Sequence, residues 1–333
     1  MTLPRTTVLY ATDANFWGHT YVSLHSLLVN NRDIPFDVRI LSSSSDAQFF
    51  ERVPALQDAH GNVEITWLPV DDTLFASAPL KFSYITRTTY YRLAIDQLLP
   101  DSVERVLYLD GDTIVRDSLR KLLTFDIDDY VLAATPEYVS PSNLPQPRFV
   151  PHPPRMGWPA HTPYFNAGVL YINMNMWRQQ NIYEQCLEYY QANADHPSKL
   201  DFQDQDILNA VLVGKWKRVG PAFNFAPWAM DPQRFSDPGP RPLIGNDIPQ
   251  IGPAIVHYTG TIKPWHGGCP HPYEADYWHY RMATPYADHL MLTRSKLMGF
   301  WRKSVRRPML NVVRRMPYGH EALRVAKTRL TRV

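Results

Sequence analysis

The sequence predicts an α/β protein with a mostly parallel sheet and helices on both of its faces. Three observations predict it. Short apolar runs alternate with stretches of helical periodicity over the first hundred residues, the pattern of strands that need a crossover helix before they can pair in parallel. Two of the runs, residues 7–11 and 106–109, are followed within two positions by a carboxylate, Asp13 and Asp110, and in parallel sheets ligands gather beyond the carboxyl ends of the strands. At 333 residues and 44% apolar content the chain has enough material for one large α/β domain or two smaller ones.

The elements follow in order. Residues 7–11 (TVLYA) form the first strand candidate, with Ala11 at its end. Asp13, Asn15 and Gly18 then lead into a helical stretch that places Tyr21, Leu24, Leu27 and Leu28 at helical spacing. Strands are expected near residues 37–41 and 63–68, separated by a segment that can hold a helix, and a helix over about 86–99 precedes the next strand. That strand is the most informative stretch, VLYLDGDTIV over 106–115, in which an apolar run meets two carboxylates two positions apart. Side chains at i and i+2 leave a strand on the same face. If the extended geometry continues, Asp110 and Asp112 point the same way, and their repulsion calls for a cation between them. The competing reading is a loop that merely opens with acidic residues.

Residues 136–163 and 227–253 are rich in proline, which excludes regular helices and central strands; both read as long excursions, the first a candidate lid. Between them lie two polar clusters, residues 164–170 (YFNAGVL) and 201–208 (DFQDQDIL). Acids and amides ahead of an apolar helix make good ligands for sugar hydroxyls, although the second cluster also reads as the cap of a helix beginning near Gln205. Residues 255–266 (IVHYTGTIKPWH) are another short apolar run, ending in a histidine, a glycine and a lysine. An imidazole, two carboxylates and phosphate oxygens suit Mn²⁺ or Mg²⁺. Gly260 would let the backbone approach a phosphate and Lys263 would supply a point charge. By itself His257 also reads as a hydrogen-bonded core residue.

Composition narrows the classes further. Cys186 and Cys269 are the only cysteines, which excludes a disulfide framework and a Cys-X-X-Cys zinc site. No run reaches the ~20 apolar residues of a spanning helix, and residues 1–5 lack a signal-peptide core, so the expected location is the cytoplasm. The net charge of +2 conceals an asymmetry: residues 294–333 hold twelve Lys or Arg and one acid, Glu321, leaving 22 basic against 31 acidic side chains before them. Trp301, Phe300 and several aliphatics interleave with those cations. Such a basic amphipathic tail suits an anionic membrane surface better than it suits a solvated helix or a nucleic-acid arm. The expected division is a catalytic domain over 1–292 and a membrane-association tail over 293–333.

Read together, VLYATDANF, TTYYRLAI, RVLYLDGDTIVRDSL, YFNAGVLYINMNMWR, DFQDQDILNAVL and HYTGTIKPWH, spanning residues 8–266, strongly resemble the family 8 glycosyltransferases. Within them the bacterial lipopolysaccharide and lipooligosaccharide galactosyl- and glucosyltransferases are most similar. The resemblance implies a GT-A (Rossmann-like) nucleotide-diphospho-sugar transferase fold, retaining stereochemistry, Mn²⁺ or Mg²⁺, UDP-galactose or UDP-glucose as donor, and a saccharide or glycolipid acceptor, with no nucleic-acid partner. It places Ala11, Asp13 and Asn15 near the uridine. Asp110 and Asp112 fall on the Asp-X-Asp motif, His257 on the third metal ligand, and Gly260 and Lys263 on the pyrophosphate contacts. Arg92, Asn166, Asp204 and Gln205 match positions that grip the donor sugar. Gln205 lies where a nucleophile would sit and is an amide, which favours a front-face mechanism; Asp206 is the candidate nucleophile of a two-step route. The alternatives are a glycogenin-like self-glucosylating enzyme, a membrane-docked nucleotide-sugar binding protein without turnover, and a haloacid-dehalogenase-like phosphatase, whose acidic motif spaces its threonine differently from Thr113.

Overall fold

A computed structural model describes residues 3–71, 86–137, 154, 156–159, 162–196, 200–226, 244–245, 252–260, 262–266, 269 and 271–287. The basic tail with its expected boundary near 293, and most of both proline-rich segments, lie outside the described residues. The chain divides into two compact units, Met1–Thr259 and Gly260–Val333.

The first unit opens as expected. Strand β1 (Thr6–Ala11) is followed by α1 (Trp17–Asn30), β2 (Phe36–Ser42), α2 (Ala47–His60) and β3 (Val63–Pro69). Helix α2 is bounded by local chemistry: the Asp46 carboxylate accepts from the Phe49 N–H at 2.7 Å, and Gly61, at φ +65°, supplies the left-handed turn that ends it. The helix expected over 86–99 is a 3₁₀ helix, Arg87–Ala94, continued by one α-turn, α3 (Ile95–Leu98). The acidic stretch is two strands rather than one, β4 (Arg105–Asp110) and β5 (Thr113–Val115), with a turn at Gly111 and Asp112. Beyond α4 (Arg120–Leu123) come β6 (Leu132–Pro136), β7 (Phe165–Asn173), α5 (Met174–Gln179), α6 (Ile182–Asn193), α7 (Asp204–Val211), β8 (Trp216–Arg218) and β9 (Ile255–His257).

Seven strands form one sheet in the order β3-β2-β1-β4-β7-β6-β8. Every neighbouring pair is parallel except the two that involve β7, which runs against β4 and β6. All nine residues of β7 are buried, as a strand in the middle of a doubly covered sheet must be. Alternation places Leu9 and Tyr108 on one face, in the core that also holds Tyr90, Trp177, Ile182 and Ile207. Tyr10 takes the other face, where its hydroxyl lies 3.2 Å from Ser23 of α1. Helices therefore cover both faces, and each large apolar side chain buried there contributes roughly 1.5–3 kcal/mol.

Strands β5 and β9 make a separate antiparallel pair in the register Thr113↔His257. In the second unit α8 (Glu274–Met282) packs Tyr277 against Trp265, with ring centroids 5.0 Å apart. Among the described residues no helix is long and apolar enough to cross a membrane.

Candidate functional site

The site grows from the carboxyl ends of β1 and β4. These strands are neighbours in the sheet, and their register sets Ala11 beside Asp110. Asp13 lies two residues beyond, its carboxylate accepting from the Asn15 N–H and from the Thr86 hydroxyl, both at 2.8 Å. Asn15 is exposed. Ala11, Asp13, Asn15 and Asp110 thus share the edge of the sheet where the sequence expects a ligand.

The two carboxylates meet by a route other than a continued strand. Because the chain turns at Gly111, Asp112 is carried toward β9, where its carbonyl accepts from the Tyr258 N–H at 3.1 Å. The β5–β9 pairing then brings in His257, whose Nε2 lies 3.2 Å from Asp112 Oδ1 and 3.7 Å from Asp110 Oδ2. One ligand atom from each of Asp110, Asp112 and His257 lies within 4.8 Å of the others. Two carboxylates and an imidazole form a donor set that a divalent cation fits, and a cation there would relieve the repulsion between the two carboxylates. Gly168 of β7 makes room for them. A Cβ at that position would stand 2.1 Å from His257 Cε1 and 2.7 Å from Asp110 Oδ2, a close approach that only glycine permits.

Arg92 ties this cluster to the 201–208 segment. Its guanidinium is buried, pairs with Asp110 Oδ1 and Asp204 Oδ2 at 2.9 Å each, donates to the Ala167 carbonyl at 2.5 Å and lies 4.5 Å over the Tyr108 ring. Burial pulls the arginine down, but Asp110, Tyr108 and Asp204 outweigh it and hold it above its ordinary range. Asp204 responds differently: burial is the larger effect, Arg92 opposes it, and the carboxyl is pushed up to about 6. The Thr89 hydroxyl also donates to Asp204, at 2.5 Å.

Gln205 stands beside Asp204 with its amide fixed at both ends. Its oxygen accepts from the Ala167 N–H at 3.0 Å, and its nitrogen donates to Glu137 Oε2 at 2.8 Å and to the Tyr164 hydroxyl at 3.2 Å. Asn166 donates to the same Glu137 oxygen at 3.1 Å. Asp206 is wholly buried; one oxygen accepts from the Tyr164 hydroxyl at 2.6 Å and the other from the Phe202 N–H at 2.8 Å. That geometry fastens the turn before α7 to the start of β7. The expected helix start near Gln205 is found at Asp204, preceded by Gln203 at a positive φ of +52°.

Gly260 and Lys263 belong to the second unit. Gly260 has φ +87°, a backbone conformation that favours glycine, and Lys263 precedes a 3₁₀ turn, Pro264–His266. Sequence reasoning missed Tyr108, Thr89, Glu137, Tyr164, Gly168 and Asn224. For Gly168 a signal existed, a glycine inside an apolar run; Glu137 and Asn224 are single polar residues with no pattern around them.

The family model for glycosyl transferase family 8 matches residues 7–269. General stress protein A of Bacillus subtilis is 32% identical over 67% of this chain and 74% of its own length. A lipopolysaccharide 1,2-glucosyltransferase of Escherichia coli K12 is 26% identical over 80% of this chain and 74% of its own length. Among solved structures, galactosyltransferase LgtC in complex with donor and acceptor sugar analogs superposes with a TM-score of 0.71 at 27% identity, covering 87% of this chain and 100% of that one.

Proposed function

The chain belongs to glycosyl transferase family 8, and on that premise we propose that it is a retaining hexosyltransferase moving galactose or glucose from a UDP-sugar to a saccharide or glycolipid acceptor in cell-surface glycan synthesis. The observation that carries the reading is the convergence of Asp110, Asp112 and His257 next to the Arg92–Asp204 pair. Asp110, Asp112 and His257 would hold a divalent cation, which when bound would supply Lewis-acid neutralisation of the diphosphate leaving group. Ala11, Asp13 and Asn15, at the adjoining edge, are assigned to the nucleoside, and Gly260 and Lys263 to the diphosphate. Arg92 holds Asp110 and Asp204 in fixed orientation, and Asn166, Asp204 and Gln205 grip the hexose.

Retention needs either a covalent intermediate or attack on the face from which the leaving group departs. Asp206 is buried with both oxygens accepting hydrogen bonds, and Gln205 is an amide, a poor nucleophile. Both features favour the front-face route, in which the leaving phosphate takes the proton of the acceptor hydroxyl while Gln205 and Asp204 orient the sugar.

The basic tail supports docking on an anionic membrane, because its cations sit among aromatic and aliphatic residues. Screening UDP-hexoses for UDP release with Mn²⁺, with Mg²⁺ and with chelator tests the reading. Metal-dependent release from UDP-galactose or UDP-glucose, with the α-anomeric configuration kept in the product, is expected. Turnover that survives chelation, or a product of inverted configuration, overturns it.

A further inference from the structure

Asn224 is completely buried and lies between the metal-site histidine and the sugar-side amides. It follows a 3₁₀ turn, Pro221–Phe223, and the chain just after it runs beside β9: the Phe225 N–H donates to the Ile255 carbonyl at 2.9 Å and the His257 N–H to the Phe225 carbonyl at 3.0 Å. The backbone therefore delivers Asn224 to His257. Asn224 Oδ1 is 2.9 Å from His257 Nδ1, and Asn224 Nδ2 is 2.9 Å from Asn166 Oδ1.

The direction of this chain of bonds follows from its fixed end. The backbone N–H of Gly168 points at Asn166 Oδ1, 3.0 Å away, and a backbone N–H can only donate, so the atom it meets is the oxygen. The other end of Asn166 meets Glu137 Oε2, a carboxylate that accepts, which requires the NH₂ there. An oxygen at Asn166 requires a donor from Asn224, so the Asn224 amide turns its NH₂ to Asn166 and its oxygen to His257. An oxygen facing Nδ1 requires a hydrogen on Nδ1. The nitrogen left to meet a cation is Nε2, which faces Asp110 and Asp112.

We propose that Asn224 is a positioning residue that holds the proton of His257 on Nδ1 and thereby presents Nε2 to the cation, its own orientation being dictated by the Gly168 N–H through Asn166. The inference rests on the reading of His257 as a metal ligand. An imidazole that ligates through one nitrogen needs the other tied to an acceptor to fix its tautomer and plane. Here the acceptor is a neutral amide whose polarity is set by the Gly168 N–H through Asn166, so the hydrogen on Nδ1 is fixed by groups outside the metal cluster. The same bonds continue through Glu137 to Gln205, so one hydrogen-bonded line joins the metal side of the site to its sugar side.

Two measurements on the full-length chain test it. With ¹⁵N-labelled histidine and a chelator in place of metal, two-bond ¹H–¹⁵N correlations should show His257 protonated on Nδ1; a His257→Gln variant identifies its signal among the twelve histidines. A neutral ring protonated on Nε2 overturns the proposal. Mn²⁺ affinity read by electron paramagnetic resonance should then fall about 10–100-fold in Asn224→Ala and change by no more than about threefold in Asn224→Asp, which keeps the acceptor for Nδ1 but loses the donor to Asn166. Equal losses in the two variants mean that Asn224 only supports the fold, and unchanged affinity in Asn224→Ala means that it does nothing for the ligand; either outcome overturns the proposal. If Asn224→Ala does not fold, the spectrum of the unsubstituted chain still decides. Failure of the unsubstituted chain to bind Mn²⁺ overturns the reading of His257 as a ligand instead, while the position of the proton still reports on Asn224.

Discussion

Asp112 shows how much of the chemistry rests on single atoms. One of its oxygens lies 3.2 Å from His257 Nε2, and the turn that places it leaves its backbone carbonyl engaged by Tyr258. Asp112→Asn keeps the size of the side chain and the backbone bond but removes a ligand charge. Turnover with excess Mn²⁺ should drop by about 100-fold, the scale of losing one electrostatic contact to the transition state, with an unchanged far-ultraviolet circular dichroism spectrum. Full activity in that variant would refute the assignment of the ligand. Gly168 belongs to the same scale. Its missing Cβ is the space occupied by the imidazole.

At the scale of elements, the 3₁₀ helix Arg87–Ala94 and α7 are joined by the Arg92–Asp204 pair. The pair is asymmetric, because burial lifts Asp204 to about 6 while Arg92 stays charged. Between the ordinary value of 3.8 and 6 the folded chain holds a proton on Asp204 that the unfolded chain has already released. The group therefore favours the fold most below 3.8, and its contribution is lost as pH rises through 6. Urea unfolding of the unsubstituted chain and of Asp204→Asn should show the stability of the former relative to the variant declining from pH 4.5 to pH 7, by at most about 1.4 kcal/mol per pH unit. A difference that is flat or grows over this range would contradict the assignment.

For the whole molecule the question is where catalysis meets its acceptor. Residues 294–333 carry twelve of the 34 basic side chains and one of the 32 acids, and each cation near an anionic surface adds roughly 1 kcal/mol. Full-length protein should co-float with phosphatidylglycerol vesicles and be released by salt. Deleting residues 294–333 should abolish flotation yet preserve UDP release from the donor. Vesicle binding that survives the deletion would remove the proposed role of the tail.

The sequence by itself determined the alternation of strands and helices, the strand ends that carry Ala11, Asp13 and Asp110, and, through six ordered motifs, the family. Local periodicity and turn chemistry encode these features. It did not reveal that residues 165–173 form a buried strand running against its neighbours, because asparagine and glycine at Asn166 and Gly168 read as a polar cluster when the strand's surroundings are unknown. Nor did it show how Asp112 reaches His257. Continued extension was expected, whereas the chain turns at Gly111 and the meeting is made by pairing β5 with β9. Glu137 and Asn224 were invisible for the same reason: their roles lie in which amide faces which carboxylate. Hydrogen-bond direction across segments far apart in sequence exists only once tertiary packing has brought them together.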